Sequence, residues 1–316
     1  MNKLNILITG VGGDIGQSCG RILKNYDISN RVIGCDIHNE HPGISLFDSC
    51  EVVPKIIDSG YIKALHQLVK KYAINAVIPT SEPELRYFSS VSDSFDFDAI
   101  PLLMSSRKAT KIGFDKLETS RFLKKNDIVV PWAVDSTEGD PLEFPCIFKS
   151  RFGAGNSRVY LLKNIHEVQI YKQIYSNYIF QEYIPSKNNE YTCGVYRLRD
   201  GEVRSIILRR RLASGITSYA EVINNKSISE LCKQVANALQ LEGSINIQLR
   251  LTSDGRPMIF EINPRFSSTV AFRHKLGFQD LIWSIQEEIL GISPYQYISP
   301  MPNTKMFRVS NEVVED

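Results

Sequence analysis

A chain of 316 residues with 43% apolar and 23% charged residues is long enough for two or three domains with a large core, and reads as an ordinary globular protein. Its net charge of +2 gives no general case for nucleic acid or an anionic membrane, and its six cysteines (Cys19, Cys35, Cys50, Cys146, Cys193, Cys232) lie far apart without a C-x-x-C pair, which excludes a disulfide frame and a cysteine zinc site. The first apolar run is stopped by Gly10, and no run approaches the roughly 18 apolar residues of a membrane span, so the expected compartment is the cytoplasm and no membrane partner is expected.

The chain begins with an apolar strand, NILITG, and the turn Gly10-x-Gly12-Gly13-x-x-Gly16 leads into a helix through Ser18–Lys24. RVIGCD follows as a second strand and ends on Asp36, where a dinucleotide-binding turn keeps its ribose carboxylate. A short EVVP strand, the helix YIKALHQLVKKY and the strand NAVIPT complete a parallel βαβ region over residues 1–105. That helix carries Ile62, Leu65, Leu68 and Val69 on one face. His38 and His41 sit three apart in the loop CDIHNEHPG with no third ligand in view, and read as a surface loop.

After 110 the helix DKLETSRFLKKND ends at IVVP, and the texture changes. FPCIFKS, SRVYLL, YIFQEYI, EYTCGVYRLRDGEVRSIILRRRL and SINIQLRLTSDGRPMIFEINP read as strands joined by turns such as RDGE and SDGRP. Two helices interrupt them, ISELCKQVANALQ and DLIWSIQEEILG. The fold class is therefore α/β followed by α+β.

Four stretches carry chemistry. In CIFKSRFGAGNSRVYLL a strand ends at Lys149 before a loop with Gly153, Ala154 and Gly155. Backbone N–H groups there can approach phosphate oxygens, with an ammonium beside them; a plain hairpin with a solvated lysine has the same pattern. In QEYIPSKNNEYTCGVY the strand end Glu182-Tyr183-Ile184 can offer its backbone to a base edge, and Glu190 can accept two ribose hydroxyls; an ordinary hairpin with surface acids also fits. In the hairpin SINIQLRLTSDGRPMIFEINPR, Gln248, Glu261 and Asn263 are oxygen-bearing groups in apolar strands, and Glu261 and Asn263 share a face. An oxygen-only set suits magnesium, with Arg265 able to clamp an anion; a structural ion pair of Glu261 is the plainer alternative. In LRRRLASG, Arg209 and Arg211 share one strand face and Arg210 takes the other, as an anion-facing pair or a solvated basic edge.

These stretches, in this order, resemble the ATP-grasp superfamily of the carbamoyl-phosphate-synthase large-subunit type, from the Gly-rich start to about residue 270. The resemblance implies a Rossmann-like N-terminal domain (1–105) followed by an ATP-grasp fold of two α+β subdomains. These are a linker helix and lid (106–183) and a C-terminal subdomain with a magnesium site (184–316). It implies ATP with magnesium or manganese, and small-molecule carboxylate and amine substrates joined through an acyl phosphate. It also allows a homodimer. By the same resemblance Lys116 and Lys149 contact ATP phosphates, Gly153–Gly155 lie in the lid loop, Glu182, Tyr183 and Ile184 form the adenine hinge and Glu190 binds ribose. Glu261 and Asn263, with Gln248, are the metal ligands, and Arg211 and Arg265 steady the transferred phosphate. Two departures stand out: Arg158 replaces a usual lid glycine, and Ser268 stands where carbamoyl-phosphate synthases carry a second arginine, which argues against carbamoyl-phosphate synthesis.

Two rival readings follow from the same residues. A short-chain dehydrogenase would use Tyr183-x-x-x-Lys187 on a helix, but Pro185 and the β-rich flanks oppose a helix there. A non-catalytic nucleotide-binding module would have no need of Lys149, Glu261 and Asn263 together.

Overall fold

A computed structural model of the chain describes residues 3–91, 100–153, 159–185, 189–309 and 314. The opening apolar run forms β1 (Leu4–Thr9), and the glycine turn hands it to α1 (Asp14–Lys24). Next come β2 (Ser29–Asp36), β3 (Ser49–Val52), α2 (Tyr61–Tyr72) and β4 (Ala76–Ile78), giving a parallel sheet in the order β3-β2-β1-β4. Both faces of β1 are buried, which is why residues 6–8 form a continuous apolar run rather than alternating. Leu4, Ile6 and Ile8 join a core with Cys19, Ile22 and Leu23 of α1, while Leu7 points into a second core with Leu65, Leu68 and Val69 of α2. Each fully buried aliphatic side chain contributes about 1.5–3 kcal/mol relative to exposure.

Residues 82–90, which carry no clear apolar period, form α3 (Glu82–Ser90). Ser81 caps it by accepting from the Glu84 amide, and Pro83 sits in its first turn. α4 (Arg107–Gly113) is capped by Ser106, and α5 (Lys116–Lys125) by Asp115, whose carboxylate accepts from the amides of Leu117 and Glu118.

β5 (Ala133–Asp135), β6 (Cys146–Ser150), β7 (Val159–Leu162) and β8 (Tyr178–Glu182) make an antiparallel sheet in the order β5-β8-β6-β7. α6 (Ile165–Ile174) covers one face of it; Asn164 caps this helix and Glu167 reaches back to the Lys163 amide. Cys146, Phe148, Tyr178 and Phe180 fill that face, and the opposite face is left for Ile147, Lys149 and Gln181.

β9 (Glu190–Arg197), β10 (Val203–Ala213), β11 (Ile216–Val222), α7 (Lys226–Leu239), β12 (Gly243–Leu251) and β13 (Pro257–Asn263) follow. α8 (Val270–Lys275), α9 (Asp280–Glu288) and β14 (Lys305–Phe307) complete the described elements. The strands form a six-stranded antiparallel sheet, β13-β12-β9-β10-β11-β14. Cys193, Val195, Ile245, Ile247 and Leu249 pack under α4, α5 and α7 in one core. The helices at 107–125 therefore rest on this large sheet and share its core. α8 and α9 bring Val270, Leu281, Ile282 and Ile285 against the first sheet, so the N-terminal βαβ region and the large sheet are packed together.

Candidate active site

The free face of the 133–182 sheet and the polar face of the large sheet enclose a cavity of about 1140 Å³. Strand parity decides which side chains enter it. On β12 the odd-numbered Ile245, Ile247 and Leu249 face the core, so Asn246, Gln248 and Arg250 face the cavity. Across the hairpin Gln248 pairs with Glu261 and Asn246 with Asn263, which puts four oxygen-bearing side chains side by side. On β9, Glu190 and Thr192 take the same face, and on β10 so does Arg210.

Lys149 arrives on β6 and is 5% exposed; its Nζ donates to the Phe260 carbonyl at 2.9 Å, tying the smaller sheet to β13. Burial pulls its pKa down to about 7; the Glu261 carboxylate holds it up, while Lys116 and Arg250 lower it further. Lys116 occupies the first turn of α5, where the helix dipole disfavours a cation, and an anionic ligand would relieve that cost. It is fixed there by its amide, which donates to Arg151 O at 3.1 Å, and by its Nζ, which donates to Gly153 O at 2.7 Å. The Gly153 amide in turn donates to Glu82 Oε1 at 3.1 Å, so the start of the Gly-rich loop is held between α5 and α3.

Glu190 is clamped by two arginines, Arg210 at 2.9 Å and Arg250 at 2.7 Å. Burial alone would raise its pKa, but the two guanidinium groups outweigh this and hold it below the ordinary value. Arg210 also donates to Gln248 Oε1 at 2.8 Å, and Arg250 to the Ile184 carbonyl at 2.8 Å. Glu182 and Ile184 line the cavity; Glu182 Oε2 also accepts from the Trp132 amide at 3.2 Å. Arg265 lines the cavity and donates from Nη1 to Phe266 O at 2.9 Å.

The structure thus brings together Lys116, Lys149, Gly153, Glu182, Ile184, Glu190, Gln248, Glu261, Asn263 and Arg265 around one cavity. Tyr183 is not part of its wall, and Ala154 and Gly155 lie outside the described residues. Arg211 is displaced from the expected position. It has the parity of Ile207, opposite the cavity, and lies exposed with its guanidinium 4.9 Å from the Tyr219 ring centroid. Arg210 enters the cavity instead. Sequence reasoning passed over Asn246, Arg250 and Thr192, although the strict alternation of S-I-N-I-Q-L-R marks Asn246 and Arg250 with Gln248 as one polar face.

Among the described residues no cluster of three His, Cys, Asp or Glu groups is placed to hold a metal. One carboxylate beside neutral amide oxygens fits a magnesium ion that takes its other ligands from phosphate and water. Glu261 and Asn263 are the residues that would hold it; the Gln248 oxygen is engaged by Arg210.

The glycine turn is used differently from a dinucleotide site. Gly10 adopts φ +65°, and the Gly12 amide donates to Asp36 Oδ2 at 2.7 Å, so the carboxylate in the ribose position closes the turn itself. The His41–Gly43 loop covers the turn so closely that a Cβ on Gly43 would stand 2.3 Å from Val11 O. The loop that reads as a plain surface loop is thus packed against the turn at Gly43, while His38 remains exposed.

Residues 175–312 match the family model described as ATP-grasp in the biosynthetic pathway with Ter operon, and residues 6–103 match that of a PylC-like N-terminal domain. The ATP-grasp match thus covers the second part of the chain. No curated protein matches it in sequence. Among solved structures the chain is similar to N5-carboxyaminoimidazole synthetase from Staphylococcus aureus complexed with ADP. The TM-score is 0.72 and the identity 18%, over 96% of this chain and 80% of that one. It is also similar to L-amino acid ligase from Bacillus licheniformis (TM-score 0.68, 16% identity, 91% and 74% covered). A third similar structure is biotin carboxylase from Campylobacter jejuni (TM-score 0.74, 15% identity, 96% and 74% covered). At these identities the likeness establishes the ATP-grasp fold. No helix among the described residues is long and apolar enough to cross a membrane.

Proposed function

We propose that the protein is an ATP-dependent carboxylate–amine ligase with the division 1–105, 106–183 and 184–316. The observation that carries the reading is the convergence of Lys116, Lys149 and Arg265 with the Gln248, Glu261 and Asn263 oxygens on a single cavity. Solved neighbours with the same fold are ligases, which supports the same conclusion.

In this mechanism the chain supplies position and charge rather than a nucleophile. Glu182 and Ile184 offer the strand end to the adenine, and Glu190 accepts the ribose hydroxyls once Arg210 and Arg250 give way. Lys116 and Lys149 neutralise the phosphates, Lys149 gaining its proton as the anion arrives. Magnesium, when bound at Glu261 and Asn263, adds further neutralisation of phosphate oxygens. A carboxylate oxygen of the first substrate attacks the γ-phosphorus; the bond to the β,γ-bridging oxygen breaks and ADP leaves. Arg265 stands where it can steady the resulting acyl phosphate. A neutral amine then attacks the acyl carbon, forming the C–N bond as phosphate leaves, and its extra proton passes to solvent.

The test of the nucleotide site is thermal. ATP with magnesium raises the melting temperature by linkage, and NAD or NADPH leaves it unchanged. Stabilisation by NADPH alone would overturn the assignment and restore the dehydrogenase reading.

A further inference from the structure

Where α1 meets the cavity, Asp14 and Ile15 form part of its wall, and Arg265, Ser267 and Ser268 form another part. Asp14 follows the N-cap Gly13, and neither of its carboxylate oxygens has a hydrogen-bond or ion-pair partner among the described residues. Its Oδ2 is shut off from solvent as well. A donor carried by a ligand in the cavity would satisfy it. Arg265 likewise has no ion-pair partner among the described residues; the acceptor of its Nη1 is a neutral carbonyl. The two opposite charges face one cavity without pairing with each other. They still feel each other: burial lowers the Arg265 pKa, while Glu261, Glu82 and Asp14 hold it up. A bare helix N-terminus would favour an anion, and the charge of Asp14 at that point reverses the preference toward a cation.

Resting on the ligase reading above, we propose that Asp14 is a specificity-determining residue that takes the ammonium group of an amino-bearing carboxylate substrate, whose carboxylate lies toward Arg265. A zwitterionic amino acid is the simplest ligand that satisfies both charges at once. Ion pairing with Asp14 keeps that ammonium protonated, without a lone pair, so it does not serve as the nucleophile toward an acyl phosphate. The nucleophile therefore comes from the second substrate. Ser268 lines the cavity beside Arg265, and its carbonyl accepts from the Arg308 guanidinium.

The experiment measures phosphate release from ATP and magnesium by the full chain, with hydroxylamine as the trapping amine. α-Amino acids are compared with the matching acids that lack the amino group. Wild type favours the amino acids about tenfold or more in kcat/KM, the size of one charge-assisted contact. Asp14→Asn raises KM for the amino acids and brings the ratio to within about threefold, while Asp14→Glu keeps most of it. Stabilisation by ATP and magnesium is the same in all three proteins. Equal use of both acid types by wild type, or an intact preference in Asp14→Asn, overturns the subsite and leaves the ligase reading standing. Loss of the nucleotide-induced stabilisation in Asp14→Asn also overturns it, by showing a structural role. No phosphate release with any acid removes the ligase reading, and the subsite with it.

Discussion

Replacing Lys149 with methionine should stabilise the nucleotide-free protein while abolishing its response to ATP. The side chain is buried, and its pKa stands at about 7 against the ordinary 10.5. The unfolded chain therefore holds this proton more tightly than the folded one, and the penalty is fully present below pH 7. It is relieved as pH rises from 7 to 10.5, so this lysine makes folding stability increase across that window. At pH 7 the penalty is about 4 kcal/mol. Methionine removes the charge at similar volume but leaves the Phe260 carbonyl without its donor, which returns about 1 kcal/mol. The net gain of about 3 kcal/mol corresponds to a rise of roughly 5 °C in melting temperature. Differential scanning calorimetry without nucleotide or added magnesium, run from pH 6 to 10 on both proteins, checks this. The gap between them should narrow as pH rises, and addition of ATP with magnesium should shift the wild type alone. A less stable variant, or a gap independent of pH, would refute the claim that a buried charge is being held there for an anion.

Arg211→Ala should change activity by less than about twofold, because the side chain lies exposed beside Tyr219. Arg210→Ala should free the Gln248 oxygen, leave Glu190 held by Arg250 alone and alter nucleotide affinity, read by calorimetric titration with ATP. Glu190→Gln leaves Arg210 and Arg250 without their carboxylate and should cost about 3 kcal/mol at pH 7 by chemical denaturation. Burial opposes ionisation of Glu190, but the two arginines prevail and lower its pKa. Its stabilisation is thus present above the ordinary 4.5 and disappears as pH falls through the lower folded value, where variant and wild type converge.

Period-two alternation is what makes the site legible in the sequence. It places Glu261 with Asn263, and Arg210 opposite Arg211, from spacing alone; only the choice of which arginine faces the cavity needs the register of β10 against β9 and β11. The glycine turn shows the limit. Its spacing is that of a dinucleotide site, yet Asp36 accepts from the Gly12 amide, and the loop at 41–43 packs over the turn. Asp14 is hidden for a related reason: an acid in the first turn of a helix is ordinary in sequence, and only the cavity wall shows it without a donor. α6 escapes because its apolar residues Ile165, Ile170 and Ile174 are exposed, so the helix rests on its Asn164–Glu167 cap rather than on a clear apolar stripe.

The most direct measurement of the central claim is phosphate release from ATP and magnesium across a matrix of carboxylates and amines, with Glu261→Gln as the inactive control. Release by wild type should require both a carboxylate and an amine and be lost in the control. Equal release by both proteins with every pair would contradict it.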